Sequence, residues 1–255
     1  SGSTIITTNS YSCTPQRLKR FNLENEFKNL QKLALRAAKE AITETGLNNN
    51  VKIAGCFSPL PGSYFKDKSI SKKEMIETYL SIGELQKDDV DFFIIETMSS
   101  IDEAVNAVEA LSNFNKKILI CFCLSEGDGT KLFSGEDLSK ACDLIQIDKI
   151  SGLCLNCSQF EDISIGLDIL KKYGLPFGAL PNNFQSVKPL KLGMSVDNIK
   201  KRNDILIEDF VNYSNIWLKK GCTILGGCCE ITPDYINGLN QFLMKNKYNK
   251  VNFFN

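Results

Sequence analysis

Two cysteines stand side by side in "LGGCCEITP", Leu225 to Pro233, directly after two glycines. Adjacent cysteines make poor disulfide partners, because a disulfide needs Cα atoms about 4.4–6.8 Å apart with converging Cβ vectors. Two neighbouring thiols aimed at one object point instead to a metal. A third cysteine, Cys157, closes the segment "GLCLNC" (152–157). Three thiolates hold Zn2+ at about 2.3 Å and leave the fourth tetrahedral position open, the pattern of a catalytic zinc. Sulfur ligands also select zinc over magnesium or calcium. The chain has no histidine, which excludes a Ser-His or Cys-His nucleophile pair and every histidine-containing metal site. Taken singly, Cys157 reads as core, as do Cys121, Cys123 and Cys154 inside their apolar runs. The metal reading comes from the conjunction of a glycine-flanked pair at one strand end with an Asn-Cys at another. Gly226 and Gly227 are then expected to let the backbone turn tightly and approach the ion. The open position suits a substrate thiol, which a metal holds as thiolate. Surrounded by cysteine thiolates, such a sulfur stays electron-rich, and alkyl transfer to it is the natural reaction class.

The elements that must position these residues are short β-rich runs alternating with helical patterns. Strands are expected at 3–9, 51–57, 90–96, 117–123, 152–157, 176–180 and 222–227. Most are continuous apolar runs, as parallel strands covered on both faces require. Ser71 with Glu74, and Ser100 with Glu103, read as capping boxes. A helix over Glu24 to Thr45 carries Phe27, Leu30, Ala34, Ala37, Ala38 and Ala41 on one face, with Gly46 at its end. Thr232 and Pro233 open the last helix. The polar stretch Phe184 to Asp204 reads as a loop or lid. Seven βα units without a linker predict an α/β fold of the (β/α)8 TIM-barrel type, in one domain over 1–255 whose first βα unit is missing. In such barrels the strand ends converge on one mouth. Here those ends bring Tyr11, Glu96, Cys157, Cys228 and Cys229 together. An acid such as Glu96 at a strand end suits a substrate contact; it could equally cap the next helix or pair with a lysine.

Composition narrows the partners. Lys and Arg together number 30, as do Asp and Glu, so there is no broad basic field to neutralise phosphates, which argues against nucleic acid as the main partner. No apolar run of about 18 residues exists to span a membrane. Ten cysteines scattered through apolar strands suit a reducing, cytoplasmic compartment.

The segments "IITTNSYSCTP", "AGCFSPLPGSY", "DVDFFIIETMSSIDEA", "GLCLNCS", "LPNNF" and "GCTILGGCCEITPDYI" resemble, in order, the homocysteine-binding domain of zinc-dependent homocysteine S-methyltransferases. "SPLPGSY" and "ETMSS" are most similar to the stand-alone, S-methylmethionine-type microbial members. The resemblance implies zinc on Cys157, Cys228 and Cys229, with Glu96 receiving the amino group of L-homocysteine and Tyr11 positioning the reacting centre. It implies methyl transfer from a small onium-type donor such as S-methylmethionine, S-adenosylmethionine or betaine. It also implies a first strand ahead of Ser1, and it usually places glycine where this chain has Glu230. A zinc-binding barrel without turnover and a sulfur-rich barrel enzyme without a metal are the rival readings.

Overall fold

The protein is described here by a computed structural model over residues 1–47, 50–64, 69–190, 192, 194 and 196–249. Seven strands lie parallel in one curled sheet: β1 (Ile5–Thr7), β2 (Lys52–Phe57), β3 (Phe92–Met98), β4 (Ile118–Phe122), β7 (Gly152–Asn156), β8 (Phe177–Leu180) and β9 (Ile224–Leu225). Each coincides with a predicted strand to within two residues at either end. Strands β5 (Leu124–Ser125) and β6 (Asp128–Leu132) form a separate antiparallel hairpin that the sequence pattern did not reveal. The main helices are α1 (Pro15–Leu18), α2 (Phe27–Glu44), α3 (Lys72–Gln86), α4 (Ile101–Leu111), α5 (Leu138–Leu144), α6 (Phe160–Leu170), α7 (Ile207–Lys220) and α8 (Pro233–Lys245).

The strand order is β1-β2-β3-β4-β7-β8-β9, so β1 and β9 are open edges. The expected closed (β/α)8 barrel is therefore corrected to a curled seven-stranded half-barrel: among the described residues no strand joins the two edges. The curl is nonetheless deep. Ile5 of β1 and Ile224 of β9 pack on the same inner cluster, formed by Ala54, Phe92, Ile94, Leu119, Cys121 and Cys154. Successive strand residues point to opposite faces. Phe92, Ile94 and Glu96 accordingly follow one another inward, while Phe93 and Ile95 join the larger core beneath the helices. Trp217 belongs to that outer core, fully buried, with its indole N–H on Ser164 Oγ at 2.8 Å.

Local signals held where no tertiary demand opposed them. Ser71 Oγ caps α3 by accepting from Glu74 N, and Gly46 takes φ +68° just past α2. The reciprocal half of the Ser71 box is absent, Glu74 accepting from Gln16 Nε2. At the second expected box neither half formed: Glu136 accepts from Ile101 N instead, and Glu103 is buried, accepting from Leu60 N and Tyr79 Oη. The inner face of α2 is Phe27, Gln31, Ala34, Leu35, Ala38 and Ile42, with Ala37 and Ala41 exposed. The helix turns to bury Leu35 and Ile42, which remove more apolar area from water than two alanines would. Among the described residues no helix is long and apolar enough to cross a membrane.

Candidate metal centre

Three chain segments meet where β7, β8 and β9 end. The exit of β8 holds the other two: Cys157 N donates to Leu180 O (3.0 Å), Cys228 N to Pro181 O (2.8 Å), and Asn183 N to Cys229 O (3.0 Å). The sulfurs of Cys157, Cys228 and Cys229 then lie within 4.8 Å of one another, with Cys157–Cys229 at 3.6 Å and Cys228–Cys229 at 3.9 Å. Tetrahedral bonds of roughly 2.3 Å to zinc would set sulfurs about 3.8 Å apart. The donor set fits the ion in charge as well. The Cys229 sulfur is held well below its ordinary pKa by hydrogen bonds from Cys157 and then Cys228, while Cys228 is pushed well up by its bonds to Cys157 and Cys229. Like charges this close disfavour one another, so a cation among the three sulfurs would favour their thiolate forms.

The two glycines before the pair do not use left-handed backbone. What Gly227 supplies is clearance: a Cβ there would lie 2.1 Å from Ile231 Cγ2 and 2.4 Å from Ile231 Cβ. The left-handed position is Glu230, at φ +64°, with its carboxylate 3.9 Å from Lys201 Nζ. A glycine is the residue this turn favours there.

Glu96 reaches the same mouth through a break in register. The β3–β4 pairing shifts between Ile95 and Met98, a bulge that re-aims the residues between them. Thr97 sits there at φ +61°, clamped by Asn156, whose Oδ1 accepts from Thr97 N and whose Nδ2 donates to Thr97 Oγ1, both at 2.9 Å. Glu96 Oε1 accepts from Cys56 Sγ at 3.0 Å. Among the described residues it caps no helix and pairs with no lysine. Burial raises its carboxyl pKa; the Cys56 bond opposes this, the Cys229 charge adds to it, and the Arg17 charge opposes it.

Tyr11 lies in the same region but touches none of the three sulfurs. Its hydroxyl bonds Ser63 Oγ at 2.6 Å, and the Arg17 guanidinium lies 4.8 Å from its ring centre. Burial raises the Tyr11 pKa well above its ordinary value; the Arg17 charge opposes this, and those of Cys157 and Glu96 add to it. The tyrosine that does reach the sulfurs is Tyr64, which sequence reasoning missed: its Oη is 2.9 Å from Cys157 Sγ. It closes "SPLPGSY", a segment leading from the end of β2, and tracing that strand end five residues past Pro59 would have found it.

In the stretch Phe184 to Asp204, residues 191, 193 and 195 lie outside the described set, and several of the others lie against this mouth. Phe184, Val187 and Leu190 pack with Tyr64, Cys123 and Cys157. Glu126, at the β5–β6 turn, accepts from Ser186 Oγ (2.7 Å) and Val187 N. Arg202 grips both oxygens of Glu161, at 2.9 Å each.

Comparison with known proteins places these features in context. A family model described as Homocysteine S-methyltransferase matches residues 1–243. Homocysteine S-methyltransferase 2 of Zea mays is 27% identical over 270 residues, covering 96% of this chain and 77% of the relative. A selenocysteine methyltransferase of Astragalus bisulcatus is 28% identical over 160 residues, covering 60% of this chain and 45% of its own length. The metallated form of the homocysteine methyltransferase MmuM from Escherichia coli superposes with a TM-score of 0.73 at 22% identity, over 94% of this chain and 80% of that one, a likeness of fold.

Proposed function

Because the chain belongs to the homocysteine S-methyltransferase family, we propose that it transfers a methyl group from an onium-type donor to the thiol of L-homocysteine, giving methionine, with zinc as its resident metal. Cys157, Cys228 and Cys229 would hold the ion, and Glu96 and Tyr11 would serve the amino acid. Residues 1–255 would act as one homocysteine-binding domain. The observation that carries this reading is the convergence of three sulfurs from two strand ends at the spacing a tetrahedral ion requires. Zinc bound there supplies a Lewis acid that keeps a substrate thiol deprotonated at neutral pH.

The chain's own residues do the rest. One Glu96 oxygen is held by Cys56, and among the described residues no other donor bonds the carboxylate. An incoming ammonium group would favour the charged form that burial disfavours. Tyr11, fixed between Ser63 and Arg17, gives the pocket a rigid wall. Phe184, Val187 and Leu190 exclude water from the reacting sulfur. Tyr64 and Phe133, with ring centres 5.3 Å apart, pack in the cluster that holds Cys157, and a cationic donor of the onium class that reached them would find aromatic partners there. With donor and acceptor in near-attack geometry, the acceptor sulfur forms its bond to the methyl carbon as the donor's bond breaks. The electron pair stays on the departing heteroatom, which leaves neutral, and an acceptor that reacts as thiolate needs no general base.

The test is metal analysis after purification under reducing conditions, followed by methionine formation from homocysteine with S-methylmethionine, S-adenosylmethionine and betaine. About one zinc per chain and turnover with at least one donor are expected. Less than about a tenth of a zinc per chain refutes the metal. Bound zinc without methionine from any of the three donors refutes the methyl transfer.

A further inference from the structure

We propose that Cys56 is a positioning residue: its thiol, through the hydrogen bond to Glu96 Oε1, fixes which carboxylate oxygen meets the acceptor's amino group, and so makes the site prefer amino-acid thiols over simple thiols. This rests on the homocysteine reading of the same site.

Cys56 lies on β2, 2% exposed, one strand away from Glu96. Its backbone is pinned from both sides. Cys56 N donates to Thr8 Oγ1 at 3.0 Å, and Cys56 O accepts from Gln86 Nε2 at 3.4 Å. Gln86 Nε2 also donates to Gln31 Oε1 at 2.8 Å, and Gln31 Nε2 to Cys13 O at 2.8 Å. Side chains from α2 and α3 therefore set where the thiol stands, which is how an outer layer of bonds orients a working group.

The choice of a thiol matters. A buried carboxylate is costly without a partner, and a lysine or arginine at position 56 would neutralise Glu96 outright. The nearby Arg17 makes no hydrogen bond to the Glu96 carboxylate; its Nε (3.1 Å) and Nη2 (2.8 Å) donate to Pro59 O. A thiol is a weak donor. It orients one oxygen and leaves the carboxylate uncompensated, so an ammonium group on the ligand completes the arrangement. A thiol substrate without an amino group gains nothing from it.

The experiment compares zinc-loaded wild type, Cys56→Ala, Cys56→Ser and Glu96→Gln. In Cys56→Ala, KM for homocysteine should rise roughly tenfold, the loss typical of a hydrogen bond to a charged group. Its kcat should stay within about twofold, because the bond serves binding and not the chemical step. Zinc content and KM for 2-mercaptoethanol should not change, and Cys56→Ser should restore the homocysteine KM. The bond itself is read by infrared spectroscopy without substrate. A red-shifted S–H band should vanish in Cys56→Ala and move in Glu96→Gln. An unchanged homocysteine KM in Cys56→Ala, or equal losses for both thiols, overturns the proposal. Should the wild type make no methionine, the acceptor reading fails by itself, and the infrared arm still decides the pairing: no S–H band responding to Glu96→Gln overturns it.

Discussion

On the zinc reading proposed above, Gly227→Ala should weaken metal binding without altering a ligand. The new Cβ would lie 2.4 Å from Ile231 Cβ and 2.1 Å from Ile231 Cγ2. A change of Ile231 rotamer moves Cγ2 but not Cβ, so the backbone itself must give. Restoring an ordinary carbon–carbon separation of about 3.6 Å requires a shift of roughly 1.2 Å. Ile231 N is bonded to Cys228 O at 3.2 Å, so the shift is delivered to the cysteine pair. Metal–ligand distances tolerate only about 0.2 Å. Overpacking of this kind costs about 1–3 kcal/mol in stability, and displacing the ligand turn should weaken zinc binding on the order of 10–100-fold. Gly226→Ala is the control: its Cβ would meet Leu180 Cδ2 at 3.1 Å, the far end of a flexible side chain. Competition with a chromophoric chelator gives Kd for both variants, and thermal unfolding gives stability. Zinc affinity in Gly227→Ala within threefold of wild type, with Gly226→Ala equally unaffected, would refute the clearance argument.

Three further outcomes follow from the same geometry. Tyr64→Phe removes the 2.9 Å bond to Cys157 Sγ and should weaken zinc binding roughly tenfold in the same competition assay; an unchanged Kd contradicts a supporting role for this hydroxyl. Glu230→Gly relieves a left-handed backbone at the loss of an exposed ion pair worth little, a net gain of about 0.5–1 kcal/mol that a rise in Tm would register and a fall would contradict. Glu96→Gln should raise the homocysteine KM on the order of 10–100-fold with zinc content intact. The raised Glu96 pKa means the native state holds more protons than the unfolded chain above the ordinary carboxylate range, so this group's contribution to stability falls as pH rises. The metal-free Glu96→Gln protein should therefore gain on wild type as pH increases through that window, and a pH-independent difference in chemical denaturation would exclude this.

The strands and the sulfur triad were legible because their signals are local and strong. Runs such as "FFII" and "ILICFC" are apolar throughout, and "GGCC" has few competing explanations. Identical local signals failed where a tertiary contact outbid them. Ser100 with Glu103 matches Ser71 with Glu74 letter for letter, yet Glu103 is drawn inward to satisfy Leu60 N and Tyr79. The β5–β6 hairpin runs through "LSEGDGTKL", polar and glycine-bearing, and is anchored by Phe133 N on Cys123 O and Ser134 N on Ser99 O, contacts invisible to periodicity. Cys56 and Tyr64 were hidden for another reason. A cysteine in an apolar strand and a tyrosine after a Pro-Gly turn look the same whether they pack or hold something, and only register separates the two.

Backbone strain ties these residues together. Six described non-glycine residues take positive φ, and four of them surround the sulfurs: Tyr64 (64°), Thr97 (61°), Cys157 (49°) and Glu230 (64°). Each costs about 1–2 kcal/mol for an L-residue, and threonine, branched at Cβ, is the least suited. Such conformations persist only where surrounding bonds over-determine them. Asn156 holds Thr97 with two bonds, and Cys157 is held by its N–H on Leu180 O and its carbonyl against Cys123 Sγ at 3.4 Å. Asn156 precedes Cys157, so one short segment at the end of β7 both aims the Glu96 bulge and presents a sulfur. The carboxylate and the sulfur cluster are thereby set at a fixed separation, which, on the homocysteine reading proposed above, a substrate carrying a thiol and an amino group on one short carbon chain would have to match. A change that relaxes Asn156 would misplace both contacts at once, whereas loss of Cys56 or Tyr64 disturbs only one.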